Sequence, residues 1–150
     1  MAATGVSAAA CAAAGATIVA PGEGRVDTLV VDAGSAFGDG GLRGLRAALD
    51  ETWTTVLTVA TEQWLAEGAH AGGKIVLLAP RPSAGEHAAA AAAALENLAR
   101  TLAVEWARFG VRATAVAPGP RTTEDELAGL VAFLASAGGE YFSGCRFSLR

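Results

Sequence analysis

The sequence predicts a single α/β domain, a doubly wound parallel sheet with helices on both faces, giving three layers. Short apolar runs alternate along the chain with segments whose apolar residues recur every three or four positions, which is the order of strands and helices in such folds. Four of the five runs are continuously apolar, as strands buried on both faces of a parallel sheet are. A chain of 150 residues, 52% of them hydrophobic, is the size of one domain and can bury a core.

Five strands are predicted, and four of them run into a turn that contains proline or glycine. These residues interrupt regular structure, so they mark where each strand gives way to a loop. The fifth strand instead follows a glycine, Gly144. The predicted strands are residues 16–20, 26–31, 74–79, 111–117 and 145–149.

Two helices are predicted from capping boxes. Ser83 and Glu86 have the spacing of such a box, and so do Thr123 and Glu126; in each pair the side chains would satisfy early backbone amides. The first helix, over 84–109, is expected to stop at Gly110. The apolar faces expected on the two helices are Leu95, Leu98, Leu102, Trp106 and Phe109 on the first and Leu127, Leu130, Val131 and Leu134 on the second.

Asp50 is expected to cap a third helix, between the second and third predicted strands. Parallel neighbours need a long crossover connection, and a helix is the usual form of it. The glycine-rich segment 34–44 before this helix is predicted to be a loop or a frayed turn. The expected inner face of the helix is Trp53, Leu57, Ala60 and Trp64.

Composition excludes several classes of function. The net charge of −4 and the lack of a Lys/Arg cluster argue against nucleic-acid binding, and no apolar run is long enough to span a bilayer. Residues 1–20 lack a basic start, so they are interpreted as part of the domain rather than a signal peptide, and the protein is expected to be cytoplasmic. Cys11 and Cys145 have no metal-ligand spacing and are expected to be reduced thiols, with a disulfide between them as the alternative.

Four segments resemble the short-chain dehydrogenases/reductases. Residues 25–34, Arg-Val-Asp-Thr-Leu-Val-Val-Asp-Ala-Gly, are similar to the family's fourth strand, which normally ends Asn-Asn-Ala-Gly. Residues 93–119 closely resemble its long active-site helix and the following strand, and 131–136 and 141–149 its last helix and last strand. The resemblance implies one trimmed Rossmann-like domain over 1–150, with 24–150 family-like and 1–23 a divergent remnant of the cofactor-binding half.

The resemblance also implies a chemistry, hydride transfer between a nicotinamide and a carbonyl or alcohol. In the family a tyrosine donates the proton, and a lysine four residues later lowers its pKa and holds the nicotinamide ribose. A serine polarises the carbonyl, and an asparagine supports a water relay. Proton donor and activator lie one helical turn apart, so that both side chains are on one face.

This chain lacks all four side chains at the matching positions. Its one lysine, Lys74, opens a predicted strand, and its one tyrosine, Tyr141, lies near the C-terminus. The resemblance therefore predicts no catalytic residue in this chain. The vacated positions are Ala88 for the tyrosine, Ala92 for the lysine, Pro80 (beside Ala79) for the serine and Ala60 for the asparagine.

The cofactor-binding elements of the family are also reduced. Its glycine-rich phosphate loop has only a faint counterpart in Thr4–Cys11, where Ala9 and Cys11 replace the second and third glycines. The substrate lid is essentially absent between Gly119 and Thr123. The expectation is that this chain binds no cofactor and no metal, and that NAD(P) belongs to a partner subunit if the protein is heteromeric.

Two other residues, His87 and Asp32, are candidate acid/base groups. His87 lies beside the vacated tyrosine position and could exchange a proton near neutral pH, but a solvated histidine in the first helical turn is the favoured interpretation. Asp32 could be a general base, but a strand-end aspartate that caps a nearby amide is favoured. A minimal NAD(P)-dependent oxidoreductase using one of them is the alternative enzyme hypothesis.

The segments that resemble the family best are those that form its subunit interfaces, namely the crossover helices, here about 51–69 and 84–109, and the last helix and strand. The leading hypothesis is therefore a pseudoenzyme subunit that assembles with an intact homologue and stabilises or shapes it. The alternatives are the minimal oxidoreductase and a homodimeric protein that binds a small ligand in the vestigial cleft. The expected interface residues are Trp53, Leu57, Trp64, Ala91, Leu95, Leu98, Leu102, Trp106, Phe133, Tyr141, Phe142 and Phe147.

Overall fold

The computed structural model describes residues 6–20, 23–66 and 72–150. Its strands form one four-stranded parallel sheet in the order β1-β2-β3-β4, and helices cover both faces, so the predicted α/β architecture is confirmed. The elements are α1 (Val6–Ala13), β1 (Thr28–Asp32), α2 (Ala33–Phe37), α3 (Gly41–Gln63), β2 (Gly73–Leu78), α4 (Ala88–Glu105), β3 (Val111–Ala117), α5 (Glu124–Ala135) and β4 (Cys145–Ser148).

The sheet separates two apolar cores. Alternate strand residues point to opposite faces, so Ile75 and Leu77 of β2 pack with α3 and α4, while Val76 and Leu78 pack with α1 and α5. All four side chains are at most 4% exposed. The continuous apolar pattern of this strand therefore reflects burial on both faces, as predicted.

The last crossover differs in hand from the first two. Each step along the sheet moves in the same direction, but α3 and α4 cover one face and α5 covers the other. Two crossovers that advance in the same direction along a parallel sheet, one over each face, have opposite hands. Because right-handed crossovers are nearly universal, the connection through α5 is the rare left-handed one if the first two follow the rule.

The predicted strand at 16–20 is wrong. No strand is assigned to these residues; instead Ile18 packs against the core beneath α1 and α5, and Val19 against the core beneath α3 and α4. The apolar run is explained by packing beside the sheet rather than by a place in it. The other four predicted strands are confirmed within two residues at each end.

The region between β1 and β2 is more helical than expected. The segment 34–44 holds most of α2 and the start of α3, so the predicted loop is limited to a turn at 38–40. Asp50 lies inside α3 and pairs with Arg46 at 3.5 Å, so its predicted capping role is wrong. Gly44 lets α3 begin against α2, because a Cβ there would overlap the carbonyl of Phe37.

The capping box predicted at Ser83 and Glu86 does not form. Residues Pro82–Ala84 make a 3-10 turn, and Gly85 and His87 have positive φ angles of 125° and 71°, so α4 starts only at Ala88. The Glu86 carbonyl accepts a hydrogen bond of 3.0 Å from the Gly41 amide, which ties this turn to the start of α3. A contact between residues so distant in sequence overrides the local signal. At the other end the predicted stop at Gly110 is confirmed, with a φ of 74° after a 3-10 turn.

The second capping box is confirmed. Thr123 Oγ1 accepts from the Glu126 amide at 3.2 Å, and Glu126 Oε2 accepts from the Thr123 amide at 2.8 Å. The Thr123 amide and the Thr123 hydroxyl, which also donates to Oε2 at 3.0 Å, lower the pKa of the Glu126 carboxyl. At the other end of α5 the Lys74 ammonium donates to the carbonyls of Ala135 and Ser136 at 2.8 and 2.6 Å. Side chains thus provide hydrogen-bond partners for backbone amides at the start of α5 and for backbone carbonyls at its end.

Cys11 and Cys145 are free thiols, so the disulfide alternative is wrong. Burial raises the pKa of both thiols, which keeps them protonated and unreactive. Among the described residues, no helix is long and apolar enough to cross a membrane.

Replacing Thr123 by alanine is expected to lower the free energy of unfolding by about 1 kcal/mol at neutral pH, because one cap of α5 is lost. Urea denaturation measures the change. The Thr54→Ala variant, at an exposed position within α3, is the matched control and should leave stability unchanged or slightly higher.

The difference in unfolding free energy between wild type and the Thr123→Ala variant should depend on pH. The folded-state pKa of Glu126 is lowered, so its contribution is complete above the unfolded-state pKa and is lost as pH falls through the folded-state pKa. The stability difference between wild type and Thr123→Ala should therefore narrow in acid. An equal difference at neutral and acid pH would contradict the assigned hydrogen bonds.

Candidate functional site

A cavity lies at the carboxyl ends of β1, β2 and β3, the edge where sheets of this kind bind ligands. Its volume is about 310 Å³. The wall is mainly apolar, with a few polar groups at one side, which is the usual character of a small-molecule site. The lining residues are Asp32, Gly34, Leu78, Ala79, Pro80, Arg81, Ser83, Ala84, Pro118, Glu124 and Leu127.

An ion pair closes one side of this cavity. The Arg81 guanidinium contacts Glu124 Oε1 at 2.6 Å and donates to the Thr122 carbonyl, also at 2.6 Å. Only 30% of the Arg81 side chain is exposed, against 57% for Glu124, so the arginine is the better shielded partner. Arg81 follows β2 and Glu124 begins α5, and the pair thus joins two elements across the mouth of the cavity.

Asp32 caps α2, as the sequence predicts. Its Oδ1 accepts hydrogen bonds from the Gly34 amide at 3.0 Å and the Ser35 amide at 3.3 Å. Gly34 is needed for close packing here, because a Cβ would lie 3.3 Å from the Pro80 backbone. The carboxylate therefore lines the cavity with one oxygen bound to backbone amides, which fits a structural role better than that of a general base.

A second cavity, of about 230 Å³, lies beside the vacated catalytic positions. Ala88 and Ala92 both line it, and Pro80 and Pro118 belong to the walls of both cavities. At the two positions that in the family hold the proton donor and its activator, methyl groups leave open space. Ala60 differs, because it is fully buried in the core and lines neither of these two cavities.

His87 is not placed to replace the missing acid. Its left-handed backbone precedes α4, its Nε2 lies 3.5 Å from Glu86 Oε1, and it lines neither of the two cavities. The side chain is 37% exposed, which agrees with the favoured interpretation of a solvated histidine at the helix start.

The described residues do not fit a dinucleotide cofactor. Helix α1 includes Ala9 and Cys11, the two positions where the family has glycines, and Cys11 is 1% exposed against the α5 side of the sheet. A helical segment with a buried side chain cannot offer the open glycine turn that a pyrophosphate needs. Thr4 and Gly5 lie outside the described residues. The connection from β3 to α5 consists of residues 118–123.

No metal centre is formed within the part of the chain that the structure describes. No group of three or more His, Cys, Asp or Glu side chains in it could hold an ion.

The structure divides the expected interface residues into three sets. For five of them the prediction is wrong, because they are buried in this chain's own core rather than exposed to a partner. Helical periodicity identified the face that packs on the chain's own sheet. The five are Trp64, Ala91, Leu95, Leu102 and Trp106. Three are half-buried in internal packing, namely Leu98, Phe142 and Phe147. Four remain exposed: Trp53, Leu57, Phe133 and Tyr141.

Three polar residues of the cavity were missed at the level of sequence. Arg81 and Ser83 lie in the connection after β2, and Glu124 is the first residue of α5. The position of Arg81 just after a buried strand was a usable signal, because strand ends meet at the ligand-binding edge. Ser83 was assigned to a helix cap, and that cap does not form.

Replacing Asp32 by alanine should lower the free energy of unfolding by about 1 kcal/mol, because the amides of α2 lose their cap. Asparagine is an equally good cap, so Asp32→Asn should retain stability within about 0.5 kcal/mol of wild type. Thermal or urea denaturation measures both. A large loss in the asparagine variant would show that the charge of Asp32, rather than its capping oxygen, is what the fold requires.

Comparison with known proteins gives a consistent result. Residues 6–126 match the family model described as enoyl-(acyl carrier protein) reductase. No protein of curated function matches the sequence. Acetoin dehydrogenase from Enterobacter cloacae is 25% identical with a TM-score of 0.64, over 83% of this chain and 62% of that one.

Two further solved structures are similar. A putative NAD(P) dependent gluconate 5-dehydrogenase from Beutenbergia cavernae is 25% identical with a TM-score of 0.64, over 96% of this chain and 70% of that one. The citronellol catabolism dehydrogenase of Pseudomonas aeruginosa is 24% identical with a TM-score of 0.65, over 96% of this chain and 66% of that one. This chain thus spans about two thirds of the length of its structural neighbours. The family model covers most of the chain, and the protein belongs to the short-chain dehydrogenase/reductase family.

Proposed function

We propose that this chain is a non-catalytic member of the family that assembles with an intact short-chain dehydrogenase/reductase and stabilises or shapes it. The observation that carries the proposal is that Ala88 and Ala92 line an open cavity where the family has its proton donor and activator. In such a complex NAD(P) and the reaction belong to the partner subunit.

The cavity beside Ala88 and Ala92 has neither a proton donor nor an activating lysine at these two positions. A methyl group neither donates a proton nor lowers the pKa of a neighbour, so the two alanines cannot support general acid catalysis. Arg146 is the one ionisable side chain among the described residues that line this cavity. It pairs with Glu96 at 3.1 Å, which leaves it unavailable as a replacement.

The outer surface of the crossover helices supports assembly. Trp53 and Leu57, one turn apart on α3, are 43% and 38% exposed. The outer face of α4 carries Ala89, Ala90 and Ala93, whose small side chains allow close approach of another helix. Large exposed apolar side chains beside such a face are typical of interaction surfaces, and tryptophan often supplies much of the binding energy.

Co-expression with an intact family member encoded in the same genome tests the proposal, with size-exclusion chromatography and light scattering as the readout. We expect a stable mixed complex, and we expect the Trp53→Glu/Leu57→Glu variant to bind at least about tenfold more weakly, because charges replace an apolar contact. The Ala12→Glu variant adds charge on α1, on the other face of the sheet, and should assemble normally.

A chain that stays monomeric with every intact homologue would overturn the assembly role. Titration of the purified chain with NADH and NADPH is the second readout, and no binding is expected. Nucleotide binding by the isolated chain would instead favour the minimal oxidoreductase.

A second candidate, binding of a small ligand, is favoured by the 310 Å³ cavity above Gly34 and Ala79. Its apolar wall and the Arg81 guanidinium suit a small apolar carboxylate, which would exchange places with the Glu124 carboxylate. The ligand would then be held by an ion pair at one end and by apolar contact at the other.

Benzoate is a suitable probe for this candidate, measured by calorimetry. The Glu124→Gln variant should bind it several-fold more tightly, because the competing carboxylate is removed, and Arg81→Gln should not bind it. Glu105→Gln, an exposed change at the last residue of α4, is the control for altered net charge. Equal affinity in all four proteins, or no binding in any, would exclude this candidate.

A further inference from the structure

A polar cavity of about 350 Å³ lies at the opposite edge of the sheet, at the amino ends of the strands. It is separate from the cavities at the vacated catalytic positions and shares no lining residue with them. Cations outnumber anions in its wall although the whole chain has a net charge of −4. The lining residues are Arg25, Asp27, Thr28, Gly72, Gly73, Lys74, Arg112, Ala135 and Glu140.

Strand register places two of the cations side by side. Lys74 of β2 pairs with Arg112 of β3 in the parallel ladder, so both side chains lie on the sheet face that α5 covers. Neighbouring strands are about 4.8 Å apart. Like charges at directly opposite positions repel, and such a pair is destabilising unless an anion lies near it.

The hydrogen bonds of Lys74 show how one of these charges is used. Its ammonium donates to the Ala135 and Ser136 carbonyls, which satisfies the end of α5 and its partial negative charge. Glu140 and Asp27 attract the same ammonium and Arg112 repels it, so all three side chains lie within electrostatic reach. The Lys74 ammonium therefore has a structural role at the end of α5.

The Arg112 guanidinium has no comparable structural role among the described residues. Among the described residues its guanidinium makes one hydrogen bond, to the Gly110 carbonyl, and at 3.4 Å this bond is longer than usual. Arg25 is bound to Asp27 at 2.7 Å on the exposed rim. Among the described residues most of the Arg112 donors have no partner, and the half-buried guanidinium lies next to a lysine and an open cavity. Such a group can bind an oxyanion with two parallel hydrogen bonds.

We propose that this cavity binds a phosphate group, with Arg112 as the principal ligand and Lys74 and Arg25 as supporting charges. The phosphate oxygens would occupy the polar space between the β2–β3 ladder and the end of α5. The site is independent of the family's cofactor region, since it lies at the other edge of the sheet. Its ligand is either free phosphate or the phosphoryl group of a small molecule.

Calorimetry of the full chain with inorganic phosphate, and separately with phenyl phosphate, tests the proposal at low ionic strength. Binding is expected below about 10 mM, and it should weaken as salt is added, because exposed charges are screened. Binding of both probes assigns the phosphoryl group of a larger molecule, and binding of inorganic phosphate alone assigns the free ion. No binding of either probe would overturn the proposal.

Two variants identify the ligand residue. Arg112→Gln should weaken phosphate binding at least about tenfold, because charge-assisted hydrogen bonds are lost. Arg112→Lys keeps the charge and should retain part of the affinity, which also covers the case in which the glutamine variant does not fold. Arg43→Gln removes one positive charge at the start of α3, on the other edge of the sheet, and should bind as wild type. Equal affinity in wild type and a folded Arg112→Gln would overturn the assignment.

Discussion

The rest of the structure depends on the burial of β2 between two strands and two helical layers. This strand pairs in parallel with β1 on one side and β3 on the other, and its four central side chains are divided between the two cores. Burying each large apolar side chain contributes about 1.5–3 kcal/mol relative to exposure. Both edges of the sheet are positioned by this strand, since Lys74 stands at its start and Arg81 follows its end.

Local signals in the sequence predicted those elements that distant contacts do not disturb. The apolar runs of β2 and β3 and the capping box at Thr123 are such signals, because each acts within a few residues. Ser83 and Glu86 show where local reasoning ends. The same capping pattern fails there because the Glu86 carbonyl is bound by the Gly41 amide, far away in the sequence. No pattern within one segment reports such a contact.

The expected interface residues show a second limit. Periodicity finds the apolar face of a helix, but it does not say what covers that face. On α4 the apolar stripe through Leu95 and Leu102 packs on this chain's own sheet. On α3 the predicted inner face is wrong for Trp53 and Leu57, which are exposed, because the buried face includes Thr52, Val56 and Val59 instead. The cavity residues Arg81 and Glu124 were missed for a similar reason. They lie over forty positions apart in sequence, and only the fold brings them within 2.6 Å.

The positions that align with the family's catalytic residues differ in their surroundings. Ala60 is fully buried in the core between α3 and the sheet. Ala88 and Ala92 border open space beside Pro80. A small side chain at such a position is therefore compatible both with a packed core and with a cavity. Pro80 and Pro118 line both of the cavities at this end of the sheet.

Helix α5 connects the two edges of the sheet electrostatically. Its first turn is acidic and its residue Glu124 binds Arg81, while its last carbonyls bind Lys74, so cations at or just beyond both ends of β2 hold both ends of one helix. Negative charge at a helix start and positive charge at its end are each favourable. A ligand that took Arg81 from Glu124 would weaken one of these attachments, and a phosphate beside Lys74 would act near the other. The two candidate sites therefore share the β2–α5 pair, since Arg81 contacts one end of α5 and Lys74 the other.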